Sequence, residues 1–303
     1  MTTINTNMSA NVAANALTRN ERSMAATMER LSTGIRINSA KDDAAGLAIT
    51  SKMTSQINGL NQAVRNANDA ISMIQVAEGA LKEVTNMFQR MRELAIQASS
   101  DSNTDDDRTA LNNEFTQLRD EISRIASNTE WNGAALFEQT NASASKKFQI
   151  GANADQTITV TLKNFDAGTT TNAATTDGDS DANSVFTDLD IDGDDGSTTA
   201  DIEDLTILSR TSSNETMYAM SDAITQVNDQ RALLGASMSR LEFASDNLQN
   251  VAQNSAAARS RVMDADYAAE TTNLARTQII QQAATAMLSQ ANQSQNVVLS
   301  LLK

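Results

Sequence analysis

The chain has 303 residues, a formal net charge of −15 at pH 7, and no proline, cysteine or histidine. A chain of this length with average composition would carry about 15 prolines. Because proline removes a helical hydrogen bond and clashes with the preceding turn, its absence favours long unbroken helices. Without cysteine or histidine there is no thiol nucleophile, no Ser-His-Asp triad and no zinc site built from His or Cys. The composition favours an assembly protein over an enzyme and predicts no catalytic, cofactor or metal site.

The core must be built from small and aliphatic side chains, since the sequence holds only seven Phe, two Tyr and one Trp. Alanine, leucine, isoleucine and the 13 methionines suit narrow seams between helices better than a thick sandwich or barrel. These residues predict a mainly α fold.

Negative charge is concentrated in the middle of the chain. Twelve acidic residues and no Lys or Arg lie between Asn164 and Ser209, so this stretch supplies −12 of the net charge. No basic face remains for nucleic acid phosphates, and nucleic acid binding is not expected. The sequence has no run of 18 apolar residues, which predicts no membrane insertion. Its first seven residues lack the cationic and apolar regions of a cleaved signal peptide, so none is expected.

The first predicted helix carries an apolar stripe in the 4-3 spacing of a heptad repeat. The stripe consists of Leu17, Met24, Met28, Leu31 and Ile35. The helix is predicted to end near Gly34, and residues 38–46 form a predicted linker. Asp42 and Asp43 stand where acidic side chains stabilise the N-terminus of a following helix.

The second predicted helix is the longest of the first half and keeps the 4-3 spacing for about five heptads. Its stripe is Met53, Ile57, Leu60, Val64, Ala67, Ile71, Ile74, Glu78, Leu81, Thr85 and Phe88. A polar turn at 99–107 separates it from a shorter helix. That helix carries Leu111, Phe115, Leu118, Ile122 and Ile125 and stops near the turn dipeptide Asn132-Gly133.

A period-two pattern follows, which predicts a β-hairpin. Phe148 and Ile150 belong to its first strand, and Ile158, Val160 and Leu162 alternate with polar residues in its second. From 168 to 200 the chain is rich in Thr, Asp, Asn, Ser and Gly, the composition of a solvated loop or small exposed subdomain.

Two further helices with heptad stripes are predicted in the last third. The stripe of the first is Met217, Met220, Ile224, Val227, Arg231, Leu234, Met238, Leu241, Ser245, Leu248 and Ala252. The stripe of the last is Ile280, Ala284, Met287, Ala291, Ser294, Val298 and Leu301. Because a helix with so thin a stripe is marginally stable alone, the chain ends are predicted to need partners.

Both ends of the chain carry a distinctive local sequence. At the N-terminal end it is the run from Leu31 to Ile49, LSTGIRINSAKDDAAGLAI. At the C-terminal end it is LSQANQ at 288–293, with Val297, Val298 and Leu299 after it. These two segments resemble the terminal signatures of the bacterial flagellin family, and residues 148–160 resemble its hairpin. The resemblance covers about residues 1–165 and 210–303. One departure is Ser294, where many relatives have proline.

The resemblance implies long antiparallel coiled-coil helices from both ends, a small β-hairpin region and a short variable acidic insert. Residues 1–40 and 260–303 are expected to form an inner layer of terminal helices. Residues 41–165 and 205–259 are expected to form a coiled-coil shell with the hairpin, and 166–204 a surface-exposed acidic segment. The implied function is self-polymerisation into the extracellular flagellar filament for swimming.

Two sets of residues are predicted to make the assembly seams. The inner-layer seam is Leu17, Met24, Met28, Leu31, Ile280, Ala284, Met287, Ala291, Val298 and Leu301. The shell seam is Leu60, Val64, Ile71, Ile74, Leu81, Phe88, Ile224, Val227, Leu234, Met238, Leu241 and Leu248.

The resemblance also implies partners other than a second copy of the chain. These are an export chaperone on the C-terminal segment, the export apparatus, a filament cap and the hook-filament junction proteins. In flagellins of some bacteria a Toll-like receptor of the host recognises a surface patch. Its counterparts here are Gln89, Arg90, Leu94, Gln97 and Glu114. Arg90 and Leu94 are four residues apart on a helix and are expected to share one surface.

Other functions are also compatible with parts of the sequence. A hook-filament junction protein has similar ends and size. A calcium-dependent adhesin is suggested by Asp188, Asp190, Asp192 and Gly193, which open like a calcium loop, but the twelfth position is Thr199 instead of Glu. A short strand with alternating aspartates explains that segment more simply. Flagellins that carry a metallopeptidase need a His-Glu-x-x-His site, which this chain does not have.

Overall fold

The computed structural model describes residues 7–137, 145–165, 189–190, 199–200, 202 and 205–300, and for 294–300 the helical backbone alone. The helices of this part are α1 (Met8–Thr33), α2 (Ala44–Ala98), α3 (Asp105–Asn128), α4 (Arg210–Met263) and α5 (Tyr267–Ser300). The predicted mainly α class is confirmed. Most of the acidic segment 166–204, with most of the calcium-like loop, lies outside the described residues.

Short antiparallel strand pairs accompany the helices. They are β1 (Glu130–Trp131) with β2 (Ala134–Ala135), β3 (Ser145–Gln149) with β4 (Thr157–Thr161), and β5 (Leu189–Asp190) with β6 (Thr199–Ala200). The β3–β4 pair is the predicted hairpin, with Phe148 opposite Ile158. Asn132 and Gly133 form the β1–β2 turn with φ of 52° and 75°, the left-handed region in which Asn and Gly are tolerated.

The chain divides into two compact units. Residues 1–58 and 252–303 form one, here called the terminal unit, and residues 59–251 form the other, the middle unit. Helices α2 and α4 each contribute to both units. The predicted layer boundaries at 40 and 260 concern the assembled state and stay a prediction.

In the middle unit, α2 and α4 run antiparallel. Arg92 Nε donates to Ser221 Oγ at 3.0 Å, and Arg231 Nη2 lies 3.8 Å from Glu78 Oε1. Glu78 precedes Arg92 on α2, whereas its partner Arg231 follows Ser221 on α4, so the two helices have opposite directions. The hairpin packs on both helices, because Asn66 of α2 donates to the Gln149 carbonyl and Gln230 of α4 to the Thr161 carbonyl.

Helix α3 folds back along α2. Arg108 of α3 donates from Nε to the carbonyl of Ala98 at 3.1 Å and so satisfies an acceptor at the C-terminus of α2. Thr104 and Asp107 form a capping box that starts α3. Helices α2, α3 and α4 all contribute to one buried apolar cluster, which includes Phe88, Phe115 and Leu234.

All residues of the predicted shell seam are buried or partly buried. The buried ones are Leu60, Ile74, Leu81, Phe88, Val227, Leu234, Leu241 and Leu248. The partly buried ones are Val64, Ile71, Ile224 and Met238. Whether any of them meets another copy of the chain stays a prediction.

One of the two rows of the α2 stripe differs from the predicted register. The row that starts at Leu60 and repeats every seven residues is buried as predicted. The second fully buried row lies one residue before Val64 and Ile71, and it consists of Ala63, Ala70, Ala77, Val84, Met91 and Ala98. Because a methyl group lets another backbone approach closely, alanine fits the centre of this tight core and the larger Val64 and Ile71 lie at its flank.

The second buried row of α2, which is mostly alanine, predicts that a larger side chain placed there destabilises the fold. Ala77 is fully buried, so Ala77→Leu places three additional carbon atoms inside the packed core. We expect the free energy of unfolding to fall by about 1–3 kcal/mol. Urea denaturation followed by circular dichroism measures it, with Val76→Leu at the neighbouring exposed position as control. Equal stability of the two variants would show that the row is loosely packed.

Candidate assembly surface

Helices α1 and α5 of the terminal unit form an antiparallel pair held by polar contacts. Asn20 Nδ2 donates to the Thr277 carbonyl at 2.8 Å, and Asn7 Nδ2 donates to the Ala291 carbonyl at 3.1 Å. An ion pair joins Arg30 to Glu270 at 3.3 Å near the other end.

The buried positions of this pair are polar. Asn20 and Thr27 are the buried residues of α1, and Glu270 and Thr277 are buried on α5 within its described side chains. Each net hydrogen bond contributes about 0.5–1.5 kcal/mol, and little apolar area is removed from water at these positions. The four polar positions therefore specify how the two helices pair, and the partly buried Leu17, Met24 and Leu31 add apolar burial beside them.

Large apolar side chains of the pair point to solvent. They are Met8, Val12, Met28, Ile279, Ile280 and Met287, each between 45% and 66% exposed; we call them the outer apolar residues. Ile280 and Met287 are seven residues apart and share one face of α5. Exposed apolar side chains on a helix pair with polar buried positions are typical of an interaction surface.

The predicted inner-layer seam is divided between these two surfaces. Leu17, Met24, Leu31, Ala284 and Ala291 are partly buried. Met28, Ile280 and Met287 are exposed instead of facing the partner helix, because the neighbouring Thr27 and Thr277 occupy buried positions. Val298 lies in the part of α5 described by backbone alone, and Leu301 lies outside the described residues. Burial of this seam in an assembly stays a prediction.

Apolar spacing in the sequence did not predict the buried polar residues of α1 and α5. Asn20 and Thr27 are seven residues apart, and so are Glu270 and Thr277. A heptad search that also counted polar residues could have found both pairs.

The two chain segments that join these helices to α2 and α4 are tied together. Gly34 ends α1 with φ of +71°, a left-handed conformation that glycine adopts without strain. Arg36 N donates to the Met263 carbonyl at 2.7 Å, and Ala265 N donates to the Gly34 carbonyl at 3.0 Å. The ends of α1 and α5 are therefore held next to each other by backbone hydrogen bonds.

Asp42 orders the segment between α1 and α2. Its Oδ2 accepts hydrogen bonds from the backbone N–H groups of Asn38 and Ser39 and from the Ser39 hydroxyl. The bonds from Ser39 lower the pKa of Asp42 below its ordinary 3.8, since they stabilise the carboxylate.

The lowered pKa of Asp42 predicts that its contribution to the stability of the fold depends on pH. A carboxylate of this kind stabilises the fold above its ordinary pKa and loses that effect as the pH falls through the lowered value. We expect Asp42→Asn to be less stable than wild type at neutral pH and equally stable well below 3.8. Thermal unfolding over a pH series measures the difference, with Asp69→Asn, exposed in the interior of α2, as control. A difference that persists in strong acid contradicts this role of the charge.

The predicted receptor patch is only partly on the surface. Gln89, Arg90, Gln97 and Glu114 are exposed, and Arg90 forms ion pairs with Glu114 at 2.9 Å and Glu93 at 3.1 Å. Leu94 is fully buried in the same cluster as Phe115. The expectation that Leu94 shares a surface with the exposed Arg90 was wrong for this unit, because Leu94 is buried in the apolar cluster.

Family models match both ends of the chain. Residues 4–142 match the bacterial flagellin N-terminal helical region, and residues 217–302 match the bacterial flagellin C-terminal helical region. The chain belongs to the bacterial flagellin family. This family resemblance, inferred from the two terminal signatures, is thereby confirmed.

Curated relatives agree over nearly the whole length of this flagellin. It is 41% identical to the flagellin of Halalkalibacterium halodurans over 91% of this chain and 90% of that one. It is 40% identical to the flagellar filament 33 kDa core protein of Treponema phagedenis over 99% of both chains. Flagellin B of Vibrio cholerae is 35% identical over 99% of both. The crystal structure of Bacillus cereus flagellin aligns with a TM-score of 0.44 at 27% identity, over 64% of this chain and 94% of that one.

These matches bear on the alternative functions that the sequence left open. The family consists of structural filament proteins and not of enzymes. The comparisons give no support to a hook-filament junction protein. In the part of this flagellin that the structure describes, none of the helices has the length and hydropathy needed to span a bilayer.

Proposed function

We propose that this flagellin polymerises with copies of itself into the extracellular flagellar filament and thereby serves swimming motility. The observation that carries the proposal is the terminal helix pair, which buries Asn20, Thr27, Glu270 and Thr277 and exposes the outer apolar residues. Exposed apolar surface of this kind in a structural protein marks an interaction site. A filament covers it with neighbouring subunits of the same sequence.

The geometry of such an assembly follows from its contacts. A surface that meets a different surface of the next copy makes a heterologous contact, and contacts that do not close into a ring give an open helical filament. We place residues 1–40 and 260–303 in the inner layer, 41–165 and 205–259 in the shell, and 166–204 outermost. Two close packings of the shell would give the filament a curved shape that converts rotation into thrust.

Polymerisation of the purified chain tests the proposal. Seeds or a precipitating salt are added, and negative-stain microscopy is used to look for long filaments that heat or acid returns to monomer. We expect filaments from wild type and none from the double variant Ile279→Asn and Ile280→Asn at the same concentration. The exposed Gln282→Asn on the same helix is the matched control and should polymerise like wild type.

The proposal fails if wild type gives only discrete particles or amorphous material. It also fails if the double variant polymerises as well as the control. Circular dichroism of each monomer separates a loss of assembly from a loss of helix.

Export by partner proteins is part of the same proposal. The family resemblance supports an export chaperone on the C-terminal segment, the flagellar export apparatus, a cap at the growing tip and the hook-filament junction proteins at the base. The polar character of the buried α1–α5 positions supports a monomer whose ends stay available to such partners before assembly.

Recognition of the free monomer by a host Toll-like receptor is a second proposal, supported by the exposure of Gln89, Arg90, Gln97 and Glu114. We expect the double variant Gln89→Ala and Arg90→Ala to lose receptor signalling. Because exposed ion pairs contribute little to stability, the variant should stay folded. Arg65→Ala, exposed elsewhere on α2, is the control, and full signalling by the double variant contradicts the assignment. Leu94→Ala is unsuitable as a test, since truncating a buried leucine costs about 2–5 kcal/mol.

A further inference from the structure

Three methionines stand among the outer apolar residues of the terminal unit. Met8, Met28 and Met287 are 62%, 51% and 66% exposed. Three other methionines, Met73, Met91 and Met220, lie in the core of the middle unit and are at most 3% exposed. The chain has no cysteine, so methionine is its sulfur-containing redox group.

We propose that Met8, Met28 and Met287 are oxidation sites through which peroxides stop unassembled subunits from polymerising. The proposal rests on the proposed function, because it takes the outer apolar residues as surface that the filament covers. It adds a chemical modification that acts on the free subunit and spares the assembled one.

The chemistry needs only the thioether and a peroxide. A sulfur lone pair attacks one oxygen of hydrogen peroxide, the S–O bond forms as the O–O bond breaks, and water leaves after proton transfer. Sulfur is oxidised by two electrons and the peroxide is reduced by two. The product is methionine sulfoxide, which methionine sulfoxide reductases return to the thioether.

Exposure decides which sulfurs react. Oxidation follows access of the oxidant to sulfur, so the three exposed methionines react first and the three buried ones are protected by the core. The sulfoxide is polar, and a polar group buried without a hydrogen-bond partner opposes association. Each oxidised subunit would carry up to three such groups into surface that must become dry when subunits stack.

Assembly reverses the accessibility. Once neighbouring subunits cover the outer apolar residues, the same three sulfurs are shielded. Oxidation of finished filaments should therefore be slow at Met8, Met28 and Met287, while free monomers remain sensitive. The oxidant acts on the supply of new subunits and leaves existing filaments intact.

The test begins with purified monomer treated with hydrogen peroxide and mapped by peptide mass spectrometry. We expect Met8, Met28 and Met287 to gain one oxygen about tenfold faster than Met73, Met91 and Met220. The treated monomer should no longer add to wild-type seeds. Treatment of preformed filaments, followed by acid dissociation and mapping, should show about tenfold slower oxidation of the same three residues.

A variant without the three sulfurs isolates the cause. In Met8→Leu, Met28→Leu and Met287→Leu combined, the apolar side chains remain and every other methionine is kept. We expect this variant to polymerise like wild type both before and after peroxide. Loss of its assembly after peroxide would assign the effect to other methionines and overturn the inference.

Failure of the inference is distinct from failure of the proposed function. If untreated wild type forms no filaments, the proposed function is wrong and the inference falls with it. If untreated wild type polymerises and oxidised wild type polymerises equally well, only the inference is wrong. Equal oxidation rates in monomer and filament also overturn it.

Discussion

A chain that lacks residues 270–303 is expected to remain a soluble, largely helical monomer and to form no filaments. The truncation removes nearly all of α5, and with it the partners of Asn7, Asn20 and Arg30 on α1. It also removes Ile279, Ile280 and Met287 from the outer apolar residues. Among the residues that the structure describes, the buried cluster of the middle unit contains none beyond Leu241, so its core is left intact.

Sedimentation and circular dichroism show whether the truncated monomer is folded, and negative-stain microscopy with wild-type seeds shows whether it assembles. The control is full-length Glu270→Gln, which keeps α5 and changes one side chain of the Arg30 ion pair. We expect the control to polymerise, at a higher concentration than wild type. Filaments of the truncated chain would show that the inner layer has been assigned to the wrong residues.

Apolar spacing predicted the helices of this flagellin well and their interfaces less well. Leu60, Ile74 and Leu81 stand out as large apolar residues in heptad spacing, and they are buried. The second buried row of α2 contains Ala63 and Ala70, which a search for large side chains passes over. Alanine is common on every face of a helix, so its spacing carries little information until the packing partner is known.

In the terminal unit, heptad spacing did not identify which residues lie between α1 and α5. Heptad spacing placed Met28 and Ile280 in a seam, and the structure places Asn20 and Thr27 in the α1–α5 interface instead. The sequence gives no means to tell whether an apolar stripe faces another helix of the same chain or another subunit. Only the arrangement of α1 against α5 separates the two surfaces.

Leu94 shows that a helix face cannot be assigned from one helix alone. Its spacing from Arg90 places both near one side of α2, but the leucine is buried in the apolar cluster, while the arginine stays exposed and pairs with Glu114 of α3. The path of α3 depends on the turn after Ala98 and on the Arg108 contact that closes it. Both are tertiary features that residue spacing does not record.

Replacing Phe88 by alanine is expected to cause the largest loss of stability of any single change proposed for the middle unit. Phe88 is fully buried on α2, on the predicted seam row that begins at Leu60, within the cluster shared with Phe115 and Leu234. Deleting its ring leaves a cavity in a core with few other aromatic side chains to fill it. The expected loss is about 3–5 kcal/mol in the free energy of unfolding.

Thermal unfolding of the monomer measures this loss as a fall of roughly 10 °C in the melting temperature. Gln89→Ala, at the next and exposed position, is the matched control and should change stability by less than about 0.5 kcal/mol. Because a filament binds only folded subunits, polymerisation should recover part of the lost stability, and the variant should melt higher in filaments than as monomer. Equal melting of the Phe88 and Gln89 variants as monomers would show that the packed cluster does not hold the middle unit together.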